Sequence, residues 1–160
     1  MAFVYAYSLS DEEVVIKDFP LAAGQTPARG DLVILNGSGQ VTASGNNPTT
    51  VLGCFESQNF QGLVASGQPF AATTVTQNSQ STTTAKVRVS PTAVYRVPLK
   101  TAAAAPTIGT KYGCASGTAP SGANAVIDTA NTATGAIYQV VDYDSVAKNC
   151  FVIITARSMF

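Results

Sequence analysis

Short β-branched or aromatic runs recur along this chain at roughly 8–12-residue spacing, each closed by Gly, Pro, Asn or Asp, and that rhythm leaves little room for anything but stacked β-strands. Asp31-Leu32-Val33-Ile34-Leu35 reads as a strand, Asn36-Gly37-Ser38-Gly39 as a turn of residues that tolerate positive φ, and Gln40-Val41-Thr42 as the return strand. Val14-Val15-Ile16, stopped by Pro20, is a further candidate, as are Val51–Phe55, Phe70–Thr76, Lys86–Val89 and Val94–Val97, the last ended by Pro98. Gln77–Thr84 is a polar link between two of these. Beyond them come Lys111–Cys114, the loop Gly117–Gly122, and Ala125–Asp128. Ile137–Tyr143 and Phe151–Thr155 flank a turn at Asp144–Asn149, and their density of β-branched and aromatic residues predicts a hairpin in the middle of a sheet.

Helix finds little support. Ser10 and Glu13 have capping-box spacing, but the Val-Val-Ile that comes next favours strand. Ala102–Ala105 are good helix formers, yet Pro106 leaves space for a loop or a single turn only. The expected fold is all-β: a small β-sandwich or β-barrel, β-tulip or jelly-roll-like, with short turns. Residues 1–20 form an N-terminal arm or first strand, and residues 21–160 a single β domain.

Composition narrows the function. Of 160 residues, 46% are hydrophobic, enough for a core, and only 11% are charged, against about 25% in an average soluble domain. Nine basic residues balance nine acidic ones, so a phosphate-neutralising surface is not expected and no nucleic-acid partner is implied. The chain has no histidine, which removes Ser-His-Asp and Cys-His catalysis and every His-ligated metal site. No G-x-S-x-G or phosphate-loop motif occurs, so an enzyme is not expected. No stretch approaches the ~18–20 apolar residues of a membrane span, and Met1–Leu9 lacks the basic start of a secretion signal. Cys54, Cys114 and Cys150 lie far apart in apolar contexts and read as buried, reduced thiols, consistent with folding in a reducing cytoplasm. A surface so poor in charge suits a protein that is covered within an assembly, or a Thr-rich free β domain.

Three motifs invite a chemical reading. Asp142-Tyr143-Asp144, even with Asp128 and Asn149, supplies too few oxygens for calcium, so no metal and no cofactor are expected. Arg29-Gly30-Asp31 spells an adhesion tripeptide, but Gly30 directly before a strand is better explained as a turn residue. Asp11-Glu12-Glu13 is either a solvated face or a partner for Arg or Lys elsewhere. The N-terminus is the most informative segment: Phe3, Tyr5 and Tyr7 share one parity, Val4 and Ala6 the other. It reads as an edge strand of its own sheet or as a strand added to a neighbour's. Phe3, Val4, Tyr5, Tyr7, Asp11, Glu12 and Glu13 are therefore the candidate partner-binding residues.

Several stretches taken together resemble the tailed-bacteriophage capsid decoration (cement) proteins. They are Arg29-Gly30-Asp31-Leu32-Val33 with the Asn36–Gly39 turn, Val41 and Val51-Leu52-Gly53; Val94-Tyr95-Arg96-Val97-Pro98-Leu99 with Ile108-Gly109-Thr110-Lys111-Tyr112; and Asp128-Thr129-Ala130-Asn131-Thr132 leading to Tyr138–Asp144. The likeness spans residues 29–156 in style and order. It implies a β-rich structural protein, made in the host cytoplasm, that binds the outer surface of a phage head and stabilises contacts between major capsid protein subunits, as a homotrimer or a dimer. It carries no catalytic residues. The alternative is an adhesive or glycan-binding β-sandwich on a virion surface, with Tyr95, Tyr112, Tyr138 and Tyr143 as a sugar platform, or a tail or fibre component, although fibre repeats are not visible.

Overall fold

The computed structural model describes residues 3–10, 14–45, 48–61, 82–115, 125–133 and 135–158. Eleven strands and no helix occur among them: β1 (Val4–Ser8), β2 (Ile16–Pro20), β3 (Leu32–Leu35), β4 (Val41–Ala43), β5 (Gly53–Gln61), β6 (Thr82–Arg88), β7 (Ala93–Pro98), β8 (Lys111–Cys114), β9 (Ile127–Asp128), β10 (Tyr138–Asp144) and β11 (Asn149–Ile154). They form two antiparallel sheets, a six-stranded one in the order β1-β7-β11-β10-β8-β9 and a five-stranded one in the order β2-β6-β5-β3-β4.

The hairpins are set by their turn residues. Asn36 Oδ1 accepts the amides of Ser38 and Gln40, both at 2.9 Å, while Gly39 takes φ 73°, so β3 returns as β4 with Leu35 opposite Val41. Asp144 Oδ1 likewise accepts the amides of Val146 and Ala147, turning β10 into β11. That hairpin is central in its sheet, flanked by β7 and β8, as its composition predicts.

Neither sheet lies flat. Leu21, just past β2, bridges Val41 of β4, and Leu99, just past β7, bridges Ile127 of β9. The five-stranded sheet thus curls until its two margins meet at one bridge, and in the six-stranded sheet the extension of β7 reaches the margin strand β9; both stop short of barrel closure, and the architecture is sandwich-like. Curling encloses two apolar clusters. Tyr95, Tyr138, Val140, Val152 and Ile127 fill the six-stranded sheet, and Phe55, Leu21, Val33, Val41 and Val87 fill the five-stranded one. β3 serves both through strict alternation: Leu32 joins the first cluster and Val33 the second. Val51 and Cys54 also enter the first cluster, so the sheets share buried surface. The C-terminal residues fasten this junction, with Val51 N–H donating to Ala156 O and Ser158 N–H to Val51 O.

Several expectations shift. The strand foreseen at Val14–Ile16 runs instead from Ile16 to Pro20. The one foreseen at Val51–Phe55 starts at Gly53 and continues through Gln61, and Thr82–Thr84 of the expected polar link belong to β6. These polar residues are strand because β5 and β6 pair along their whole length, from Cys54↔Arg88 to Gln61↔Thr82. Ala102–Ala105 is loop, with Ala102 at φ 62°. Phe70–Thr76 and Gly117–Gly122 lie outside the described residues.

Two close contacts have measurable effects. A Cβ on Gly53 would run into the carbonyl oxygen of Arg88 on the paired strand. Gly53→Ala is expected to lower stability by about 1–3 kcal/mol, measured by urea unfolding. Lys100 Nζ lies 2.7 Å from Asp128 Oδ2, and this hydrogen bond, offset in part by burial and aided by the Ala130 amide, holds the Asp128 carboxyl below its ordinary 3.8. A depressed carboxyl stabilises the fold above its unfolded pKa, and the contribution is lost as pH falls through the folded value. Stability is therefore expected to decline below pH 3.8, and Lys100→Met to remove this part of the decline in pH-dependent urea titrations.

Candidate partner-binding surface

The N-terminal segment is an edge strand of the chain's own sheet. β1 pairs antiparallel with β7, Tyr5 opposite Tyr95 and Tyr7 opposite Val94, with Ala6 as an extra residue between them. A bulge of this kind reverses the parity of the residues after it. Phe3, Tyr5 and Tyr7 therefore do not share a face, contrary to the alternation in the sequence. Phe3 is 2% exposed, its ring 5.2 Å from that of Tyr138 and 6.2 Å edge-on to Tyr95. Tyr5 lies under the Arg88 guanidinium, 3.9 Å from the ring centre. Tyr7 instead approaches Phe151 on the other side of the sheet and is 39% exposed.

The sequence does not reveal the charged group beneath Tyr5. Glu56 accepts from Arg88 Nε at 2.6 Å and from Arg29 Nε at 3.2 Å, joining three residues from separate segments. With Phe3, Val4, Tyr5 and Gly30, Arg29 and Glu56 line a small cavity of about 170 Å³. The Arg88–Glu56 pair is largely buried, so removing Glu56 leaves the Arg88 charge without its carboxylate, whereas Glu56 keeps Arg29 if Arg88 is lost. Only the β5–β6 register, which puts Cys54 opposite Arg88 with a shift before Ser57, brings the two together.

Tyr7 and Leu9 begin an exposed apolar corner. Leu9 N–H donates to Thr92 O, Val89 N–H donates to Val15 O, and Ile16 pairs with Arg88, so Leu9, Val15 and Ile16 all border the β6–β7 turn. Leu9 is 54% and Ile16 45% exposed. Among the described residues, four of the six exposed large apolar side chains are Tyr7, Leu9, Val15 and Ile16. Hydroxyls of Ser8, Ser10, Ser90 and Thr92 form a hydrogen-bonded cluster within this corner. Asp11, Glu12 and Glu13 lie outside the described residues.

The sheet margins are guarded against strand addition. β1 carries the Ala6 bulge, and β2 carries Lys17, Asp18 and Pro20. β4 is covered by Ala22 and by Gln25, whose Oε1 accepts the Ala43 amide. β9 has two residues and is bridged by Leu99.

Other motifs resolve as local structure. Asp31 is buried, its Oδ2 accepting the Ala28 amide, so Arg29-Gly30-Asp31 cannot be presented as an adhesive loop. Asp142 and Asp144 spend carboxylate oxygens on the amides of Tyr143, Val146 and Ala147, and no cluster of three metal-capable side chains occurs among the described residues. Tyr95, Tyr112 and Tyr138 are core residues and Tyr143 packs against them, so the tyrosine platform does not exist.

All three cysteines are free and buried. Burial raises the thiol pKa, to about 12 for Cys114 and about 11 for Cys150, and Cys54 is pushed higher still by burial and by Glu56. Thiols kept protonated and out of reach react slowly. Ellman's reagent at pH 8 is expected to detect no thiol in the folded protein and all three after denaturation.

No protein-family model matches the chain, and no curated protein matches it.

Proposed function

We propose that this chain is a capsid decoration protein that docks on the outer surface of a phage head and braces neighbouring major capsid protein subunits. The observation that carries the reading is the apolar corner of Tyr7, Leu9, Val15 and Ile16 in a molecule with very little surface charge. An exposed cluster of this kind gains free energy when covered, at roughly 25 cal/mol per Å² of apolar area removed from water. Balanced charge removes long-range repulsion between copies packed side by side on a shell. Because the sheet margins are guarded, attachment works through side chains at the corner and not through an added strand. Phe3 stays in the core and contributes by holding β1 in place. A homotrimer or dimer fits this role, since repeated modest contacts on one shell multiply into tight attachment.

The test uses substitutions, because deleting residues 2–9 would also remove Phe3 from the core. Tyr7→Ser, Leu9→Ser and Ile16→Ser combined should weaken co-sedimentation with phage heads lacking this protein by roughly a hundredfold or more, each buried apolar side chain supplying about 1–2 kcal/mol. Circular dichroism should be unchanged. Undiminished binding by the triple variant would clear the corner, and failure of the unaltered protein to bind heads would overturn the proposal.

A further inference from the structure

The opposite end of β7 carries a different kind of surface. Beyond Pro98 the chain enters a loop whose residues 100–104 face residues 128–130 across a cleft of about 470 Å³, within the range of small-molecule sites. Its walls are fixed. Lys100 N–H donates to Ile127 O, Ala103 N–H to Lys100 O, and the Thr129 hydroxyl to Ala104 O at 3.1 Å. Leu99 N–H donates to Lys148 O, which ties the loop to the β10–β11 turn.

Two features mark this end. Ala102 at φ 62° and Lys148 at φ 56° are the only non-glycine residues with positive φ among the described residues, and that one hydrogen bond links their segments. Such conformations persist where surrounding structure enforces them, and they gather at binding sites. The cleft also holds a charged pair with donor and acceptor side by side: Asp128 has a side chain only 9% exposed, while Lys100 is about half exposed.

We propose that this cleft is a saccharide-binding site. Lys100 is already neutralised by Asp128, so a free anion gains little net attraction. A sugar hydroxyl is donor and acceptor at once, and two adjacent hydroxyls match an ammonium and a carboxylate 2.7 Å apart, one accepting from Lys100 Nζ and the other donating to Asp128. The Thr129 oxygen, having donated its proton to Ala104, keeps lone pairs for a further hydroxyl, and Thr101 supplies another hydroxyl. Methyl groups of Ala102, Ala103, Ala104 and Ala130 offer a low apolar wall to the C–H face of a pyranose ring. The inference does not depend on head binding, but the two are compatible: a chain docked through the corner at one end of β7 holds this cleft away from the shell.

The test is a titration of ¹⁵N-labelled protein with glucose, galactose, mannose and N-acetylglucosamine, with inorganic phosphate as a control. At least one sugar should shift amides within residues 99–104 and 127–131, with half-saturation on the order of 1–10 mM, as suits a shallow site with few hydrogen bonds. Ala104→Leu, on the exposed loop, should crowd the cleft, weaken that response at least fivefold and leave the rest of the spectrum in place. The proposal is overturned if no sugar moves these amides at about 50 mM, if the shifts persist in Ala104→Leu, or if phosphate moves them and sugars do not.

Discussion

The junction between the two curled sheets is the constraint on which the molecule depends. Leu32, Val51 and Cys54 belong to the five-stranded side yet are buried with Tyr95, Tyr138 and Phe3 of the six-stranded side. The margins of the five-stranded sheet meet at a single bridge, and in the six-stranded sheet a single bridge joins the extension of β7 to β9, so neither curl is held closed by a continuous ladder. Side-chain packing must hold the curls instead, with Phe3, Tyr95 and Tyr138 in the cluster that spans the junction and Phe55 among the aliphatic side chains of the other. Phe3 takes part in this packing, which together with the pairing of β1 on β7 ties the first strand to the six-stranded sheet.

Elements whose signals are local were legible in the sequence. The β3–β4 hairpin is dictated by Asn36 and Gly39, and the β10–β11 hairpin by its β-branched runs and by Asp144, so both appear within a residue or two of where the pattern puts them. Elements defined by a distant partner were not. Glu56–Gln61 and Thr82–Thr84 have no apolar alternation, and become strand because each supplies the other's backbone hydrogen bonds. The Ala6 bulge was equally hidden: nothing in Phe3-Val4-Tyr5-Ala6-Tyr7 says that β7 will skip a residue, and one skipped residue sends Tyr7 to the far face.

The surface residues divide in the same way. Tyr7 stood out in the sequence as an aromatic on an unpaired segment, and it is exposed. Leu9, Val15 and Ile16 looked like ordinary strand residues, and only the β6–β7 turn gathers them at one corner. Glu56 with Arg88, and Lys100 with Asp128, are pairs made by register and by loop closure. Sequence spacing carries no trace of either, because the partners are far apart along the chain and each is unremarkable alone.

The turn between β10 and β11 has one more consequence. Asp144 braces it from inside, both flanking strands sit mid-sheet, and Val146 at its apex is 92% exposed. A foreign peptide spliced in at that apex would hang from a stem hydrogen-bonded on both sides while leaving the core untouched, which makes the turn a natural handle for display.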